Sequence, residues 1–142
     1  MIETIQDDMI AQLEKISGVV SVGVWQGDID DLLKQPQRLP SLHVLYTGAA
    51  FDEKRNLGGE NRARHQMDFL VVLCSRNLKS RAEGATSAWT IIESVRNYLI
   101  GHNSPYGYFW PVKEDLLLAE GGLLAYGLAY RMETSLIAAE PA

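Results

Sequence analysis

The residue types that carry out chemistry are sparse in this chain and poorly spaced for it. His43, His65 and His102 fall on a strand pattern, a loop edge and a loop, and none stands in His-x-x-x-His or Cys-x-x-Cys spacing with a second ligand. Asp28, Asp30 and Asp31 could open a calcium loop, yet the glycine and distal glutamate that an EF-hand needs at fixed positions are missing. Local helix capping is the expectation for them. The Gly58 and Gly59 pair is followed by Glu60, without the Lys-Ser/Thr of a phosphate-binding loop, and reads as a hairpin tip. No Gly-x-Ser-x-Gly elbow occurs, and the serines around Arg76 to Arg81 serve a joint and a cap. Glu114 and Asp115 are adjacent on a strand pattern, so they point to opposite faces and cannot flank one bond. These readings lead to no catalytic residue, no metal site and no cofactor, and so to a protein that is not an enzyme.

Residues suited to contact are more conspicuous. Lys54, Arg55, Arg62 and Arg64 lie in one polar stretch and Arg76, Lys79 and Arg81 in a short joint, together seven of the thirteen Lys and Arg residues. They read either as a solvated surface or as a surface complementary to an acidic protein partner. Asp52, Glu53 and Glu60 interleave with them, which counts against direct DNA binding. Tyr106, Tyr108, Phe109 and Trp110 cluster beside Pro105 and Gly107, too many aromatics to leave in water, so they pack beneath a loop or meet another subunit. Trp89, Tyr126 and Tyr130 could instead line a pocket for a small ligand, although core and core rim is the plainer assignment.

Composition narrows the partners. The chain has 142 residues, 46% of them apolar, and a net charge of −5, which fits one globular domain over 1–142 and disfavours phosphate-rich partners, whether nucleic acid or anionic membrane. No apolar run approaches the roughly 20 residues of a bilayer span, and the acidic start at Glu3, Asp7 and Asp8 is unlike a signal peptide. A cytoplasmic, unprocessed protein is expected. The single cysteine, Cys74, cannot form an internal disulfide and behaves as a small apolar residue.

The elements that must position these residues follow from periodicity. Ile2, Ile5, Met9, Leu13 and Ile16 form a helical stripe stopped by Gly18. Val19 to Trp25 alternates as a strand, Asp28 to Gln35 forms a short helical turn, and Leu42 to Thr47 is a second strand. Residues 48–65 form a long charged loop or the tip of a protruding hairpin. A third strand follows, apolar on both sides through Phe69 and Val71 on one face and Leu70, Val72 and Cys74 on the other, so it belongs at the sheet centre. Ser80 and Glu83 have capping-box spacing before a helix whose buried stripe reads Ala85, Ala88, Trp89, Ile92, Val95 and Leu99, closed by Gly101. His102 to Trp110 reads as a loop, Val112 to Leu118 and Leu124 to Thr134 as the last two strands, and 137–142 as a short tail. The order α-β-β-β-α-β-β predicts an α+β, two-layer domain: a largely antiparallel or mixed five-stranded sheet with two helices on one face.

Four segments then carry a resemblance: Asp68-Phe-Leu-Val-Val-Leu-Cys-Ser-Arg-Asn-Leu-Lys-Ser80, Ile91-Ile-Glu-Ser-Val-Arg-Asn-Tyr-Leu-Ile-Gly101, Trp110-Pro111, and Ala125-Tyr-Gly-Leu-Ala-Tyr130. With the N-terminal helix, the valine-rich strand and Pro40, they resemble a family of small structural proteins from Mu-like contractile-tailed phages and prophages. The resemblance covers most of the chain through packing patterns rather than chemical signatures. It implies a non-enzymatic tail terminator that forms a ring, typically of six subunits, on the last disc of the tail tube and joins the tail to the head. Its implied partners are copies of itself, the tube and neck or head proteins. Its implied location is the host cytoplasm during assembly and then the virion tail. A neck or head-completion protein is the neighbouring alternative, and a small-ligand-binding regulatory domain the alternative from another class.

Overall fold

The computed structural model describes residues 1–35, 38–51, 62–76 and 86–137. The elements run α1 (Ile2–Leu13), β1 (Ser21–Val24), α2 (Ile29–Lys34), β2 (Ser41–Phe51), β3 (Arg62–Arg76), α3 (Thr86–Leu99), β4 (Asn103–Ser104), β5 (Gly107–Glu120) and β6 (Leu123–Ile137). The strands form one sheet in the order β1-β2-β3-β6-β5-β4. β1 pairs parallel with β2, and each remaining neighbour pair is antiparallel. Six strands and three helices thus replace the expected five and two. The added strand, β4, is two residues long, too short for any periodic signal, and the added helix is the short turn given its full six residues.

β3 occupies the centre, as its two apolar sides require. On one face Met67, Phe69, Val71 and Leu73 pack with Leu128, Tyr130 and Met132 of β6 beneath α1 and α3, which contribute Ile5, Met9, Leu13, Ala88, Ile91, Ile92, Val95 and Leu99. On the opposite face Val72, Cys74, Leu45 and Ala125 are covered by Leu32 of α2, with Trp25, Ile29, Leu33 and Leu39 around it. The sheet is therefore covered by helix on both faces at one end, not on one face only. The parallel β1–β2 pairing explains this, because a parallel connection must cross the sheet and here deposits α2 on the far side.

Several local expectations are revised. Trp89 is 43% exposed, and the stripe of α3 runs through Ala88, Ile91, Ile92, Val95 and Leu99, with Ala85 outside the described residues. Val20 and Val24 are exposed, leaving Val22 to face the core. Residues 103–110 are not a loop: β4 and the start of β5 form a hairpin, with Asn103 opposite Tyr108 and Ser104 opposite Gly107. Asp28 is the N-cap of α2 but caps with no side-chain hydrogen bond; its carbonyl accepts from Leu32 N and from Trp25 Nε1. Asp30 and Asp31 sit in the first turn, where their charge complements the helix dipole. The stretch between β2 and β3 is a hairpin at its base, since Phe51 pairs with His65. Its Gly58–Gly59 tip, the Ser80–Glu83 capping box and residues 138–142 lie outside the described residues.

Candidate functional site

Of the seven candidate cations, Arg64 and Arg76 have described side chains. Arg64 is exposed near the start of β3 and Arg76 exposed at its end. They stand twelve steps apart along the strand, on the order of 40 Å at about 3.3 Å per residue. Arg62 lies on the same strand end as Arg64, while Lys54, Arg55, Lys79 and Arg81 lie outside the described residues. Arg64 and Arg76, one from each of the two groups of cations read in sequence, therefore stand at opposite ends of β3.

The aromatics are brought together, but alternation divides them. Phe109 is fully buried, stacking on His102 with ring centroids 6.2 Å apart and meeting Phe69 edge-on at 6.5 Å. Its neighbours Tyr108 and Trp110 point the other way and are 60% and 63% exposed; Tyr106, at the hairpin tip, is 36% exposed. Tyr108, Trp110 and Val112 border a cleft of about 670 Å³ with Gly107, Arg131 and Glu133. Arg131 stands beside Trp110 in register, and its Nε donates to Asp68 Oδ1 at 2.9 Å. Exposed rings thus border a cleft whose arginine is already paired within the chain.

A second groove, of about 330 Å³, lies between α3 and β5 with Trp89, Glu93, Arg96, Glu114 and Tyr126 around it. Trp89 Nε1 donates to Tyr126 Oη at 3.2 Å, and the Arg96 guanidinium binds the Glu114 carboxylate through two nitrogens. That bond, and then the charge of Glu114, raise the Arg96 pKa above its ordinary value. Tyr130 is not a pocket residue. It is buried beneath the groove, and burial followed by the nearby Glu114 charge holds its phenol above the usual tyrosine range. Its hydroxyl has no hydrogen-bond partner among the described residues. Tyr130→Phe should therefore leave the fold intact and raise stability by about 1 kcal/mol, the cost of an unsatisfied buried hydroxyl. Chemical denaturation checks this, and a loss of stability of that size would show that the hydroxyl is bonded.

Two polar groupings resemble catalytic fragments without completing one. His102 Nε2 lies 3.0 Å from Asp8 Oδ2, and its Nδ1 lies 3.0 Å from Gln12 Nε2, which also donates to the Tyr98 carbonyl. Because the amide can only donate, Nδ1 accepts, and the proton resides on Nε2 facing Asp8. Where a nucleophile would stand there is an amide, and the network staples α1 to the end of α3. Ser41 Oγ is 3.1 Å from His43 Nε2, but Ser41 is fully buried. Burial lowers the His43 pKa. Among the described residues no group of three His, Cys, Asp or Glu side chains could hold a metal, and no helix is long and apolar enough to cross a membrane.

Sequence reasoning missed what matters most on this surface, the exposed apolar run of β5. Leu116 is 55% exposed, with Val112 and Leu117 also exposed beside Trp110. The signal was present as an unbroken extended pattern from Gly107 to Glu120, hidden by Pro111 and by irregularities in the pairing between Pro111 and Lys113 and between Leu116 and Leu118.

No curated protein matches the sequence significantly. A chain from a solved structure described as the virion of a native gene transfer agent particle superposes with a TM-score of 0.61 at 14% identity, over 94% of this chain and 96% of that one. This is a likeness of fold. The family model for the phage tail terminator protein matches residues 6–138, so the chain belongs to the phage tail terminator family.

Proposed function

We propose that this protein is the tail terminator of a contractile-tailed phage or prophage of Mu-like type, forming a ring, six subunits in the family pattern, that caps the tail tube and offers the head a surface to join. Family membership makes it a structural tail component; ring formation and termination are the reading built on that membership. The observation that carries it is the match across nearly the whole domain, 6–138, in a chain that leaves Tyr108, Trp110 and Leu116 exposed.

The geometry supports the role in two ways. A terminator must present one surface to the tube and another to the head, and the separation of Arg64 from Arg76 along β3 leaves charged groups at both ends of the sheet. A net charge of −5 also suits a lumen through which DNA passes without adhering. In this reading the protein assembles in the host cytoplasm, binds copies of itself, the tube and neck proteins, and needs no cofactor. The test is to mix it with polymerising tube subunits from the same tail and measure tube lengths by electron microscopy. Capped tubes of shorter, narrower length distribution are expected; tubes that elongate as they do without it would refute termination.

A further inference from the structure

We propose that copies of this chain join edge to edge, the middle of β5 in one subunit pairing with β1 of the next, so that the sheet continues around the ring. The inference rests on the ring reading above for the existence of a closed assembly and adds the surfaces that close it. A ring requires a heterologous contact, two different patches that match. The sheet has two such patches by construction. β1 ends its order on one side, and on the other β4 pairs with Gly107 and Tyr108 while the backbone of Gly101 and His102 bonds Phe109, so among the described residues the outer edge of β5 is covered as far as Phe109 and has no strand partner beyond it.

Three observations fit these edges to one another. Unpaired strand edges expose backbone donors and acceptors that seek another strand, and both of these edges also expose apolar side chains: Val20 and Val24 at β1, Val112, Leu116 and Leu117 along β5. Their lengths agree. The two pairing irregularities of β5 leave an uninterrupted segment of four residues, Lys113 to Leu116, and β1 is four residues long. Their charges agree too. Ser21–Val24 carries no charge, and each charge on Lys113 to Leu116 already has a partner within its own subunit: Lys113 Nζ lies 3.3 Å from Asp115 Oδ2, and Glu114 is held by Arg96. Burying this segment against a neutral strand therefore leaves no ion unpaired, the condition on which covered charges are tolerated.

Cross-linking on assembled tubes tests the proposal. Val24→Cys and Leu116→Cys replace exposed side chains, and the native Cys74 is buried. Each variant, their mixture and the double variant would be treated with a short bis-maleimide in the presence of polymerised tube protein. The mixture should give a covalent dimer that neither variant gives alone, and the double variant a ladder of higher oligomers. A dimer from either single variant alone would show an isologous contact and overturn the proposal. So would tubes visibly capped in electron micrographs with no cross-link in the mixture, an outcome that leaves the terminator reading intact. Cross-linked ladders on tubes of unregulated length would support the edge contact and sink termination instead. Neither capping nor cross-links would overturn both.

Discussion

Replacing Phe69 by alanine is expected to lower the stability of the domain by about 3–5 kcal/mol, the range for deleting a fully buried aromatic ring. Phe69 is wholly inaccessible and lies at the junction of four strands. It is paired in register with Tyr46 of β2 and Tyr130 of β6, tilts against the Tyr46 ring at 5.5 Å, and receives Phe109 of β5 edge-on at 6.5 Å. The rings around it cannot collapse into the vacated space without shifting β2 or β5, so the cavity term adds to the lost transfer energy. A natural domain has about 5–15 kcal/mol in all, so one substitution removes a large share of it. Leu116→Ala is the matched control. That side chain is 55% exposed in the single subunit, and its loss should change monomer stability by less than about 0.5 kcal/mol. Urea titration of both variants checks the pair; a Phe69→Ala loss below about 1 kcal/mol would mean that the core is not packed as described.

The contrast between these two leucine and phenylalanine positions also marks how far the sequence could be read. Phe69 was legible because a strand apolar on both sides belongs in the middle of a sheet, and β3 is there. The stripes of α1 and α3 were legible for the same reason, a period of 3.6 with one apolar side, and both pack on the face expected. Trp89 was misjudged because its size outweighed its angle: it sits about 100° around the helix from Ala88, whereas Ile91 continues the Ala88 line and is buried. The face of α2 was out of reach, since Ile29, Leu32 and Leu33 give a helical spacing but no statement of which strand order carries the chain across the sheet. Pairing direction is a property of two distant segments, and single-strand patterns do not encode it. The contact surface was half legible. The crowding of aromatics at 106–110 points to it, but Pro105 and Gly107 are loop signals in sequence, and without a strand there is no alternation to separate buried Phe109 from exposed Tyr108 and Trp110.

Gly107 gives the second large effect. Its φ is +154°, and a Cβ built on it would stand 2.7 Å from the backbone oxygen of Glu133 and 3.2 Å from Met132 Cγ. Met132 could rotate away, but Glu133 O belongs to β6 and cannot move without disturbing the β5–β6 ladder, where Phe109 pairs with Met132 and Trp110 with Arg131. Gly107→Ala should therefore cost about 1–3 kcal/mol in backbone strain alone and push β4 and the first residues of β5 outward. Since Phe109 is anchored in the core and Tyr108 and Trp110 are the exposed rings beside it, a small displacement here re-aims the aromatic surface before it unfolds the domain. The expected signature is a lowered denaturation midpoint together with faster amide exchange confined to residues 103–110 and their partners in β6. Gly121→Ala serves as the comparison, because Gly121 has a φ of +61° yet nothing within 4 Å of an added Cβ, so only conformational strain is incurred there. Equal losses for the two variants would show that the Glu133 contact does not restrict the strand; a clearly larger loss at Gly107 means the close approach of two backbones holds the hairpin in place.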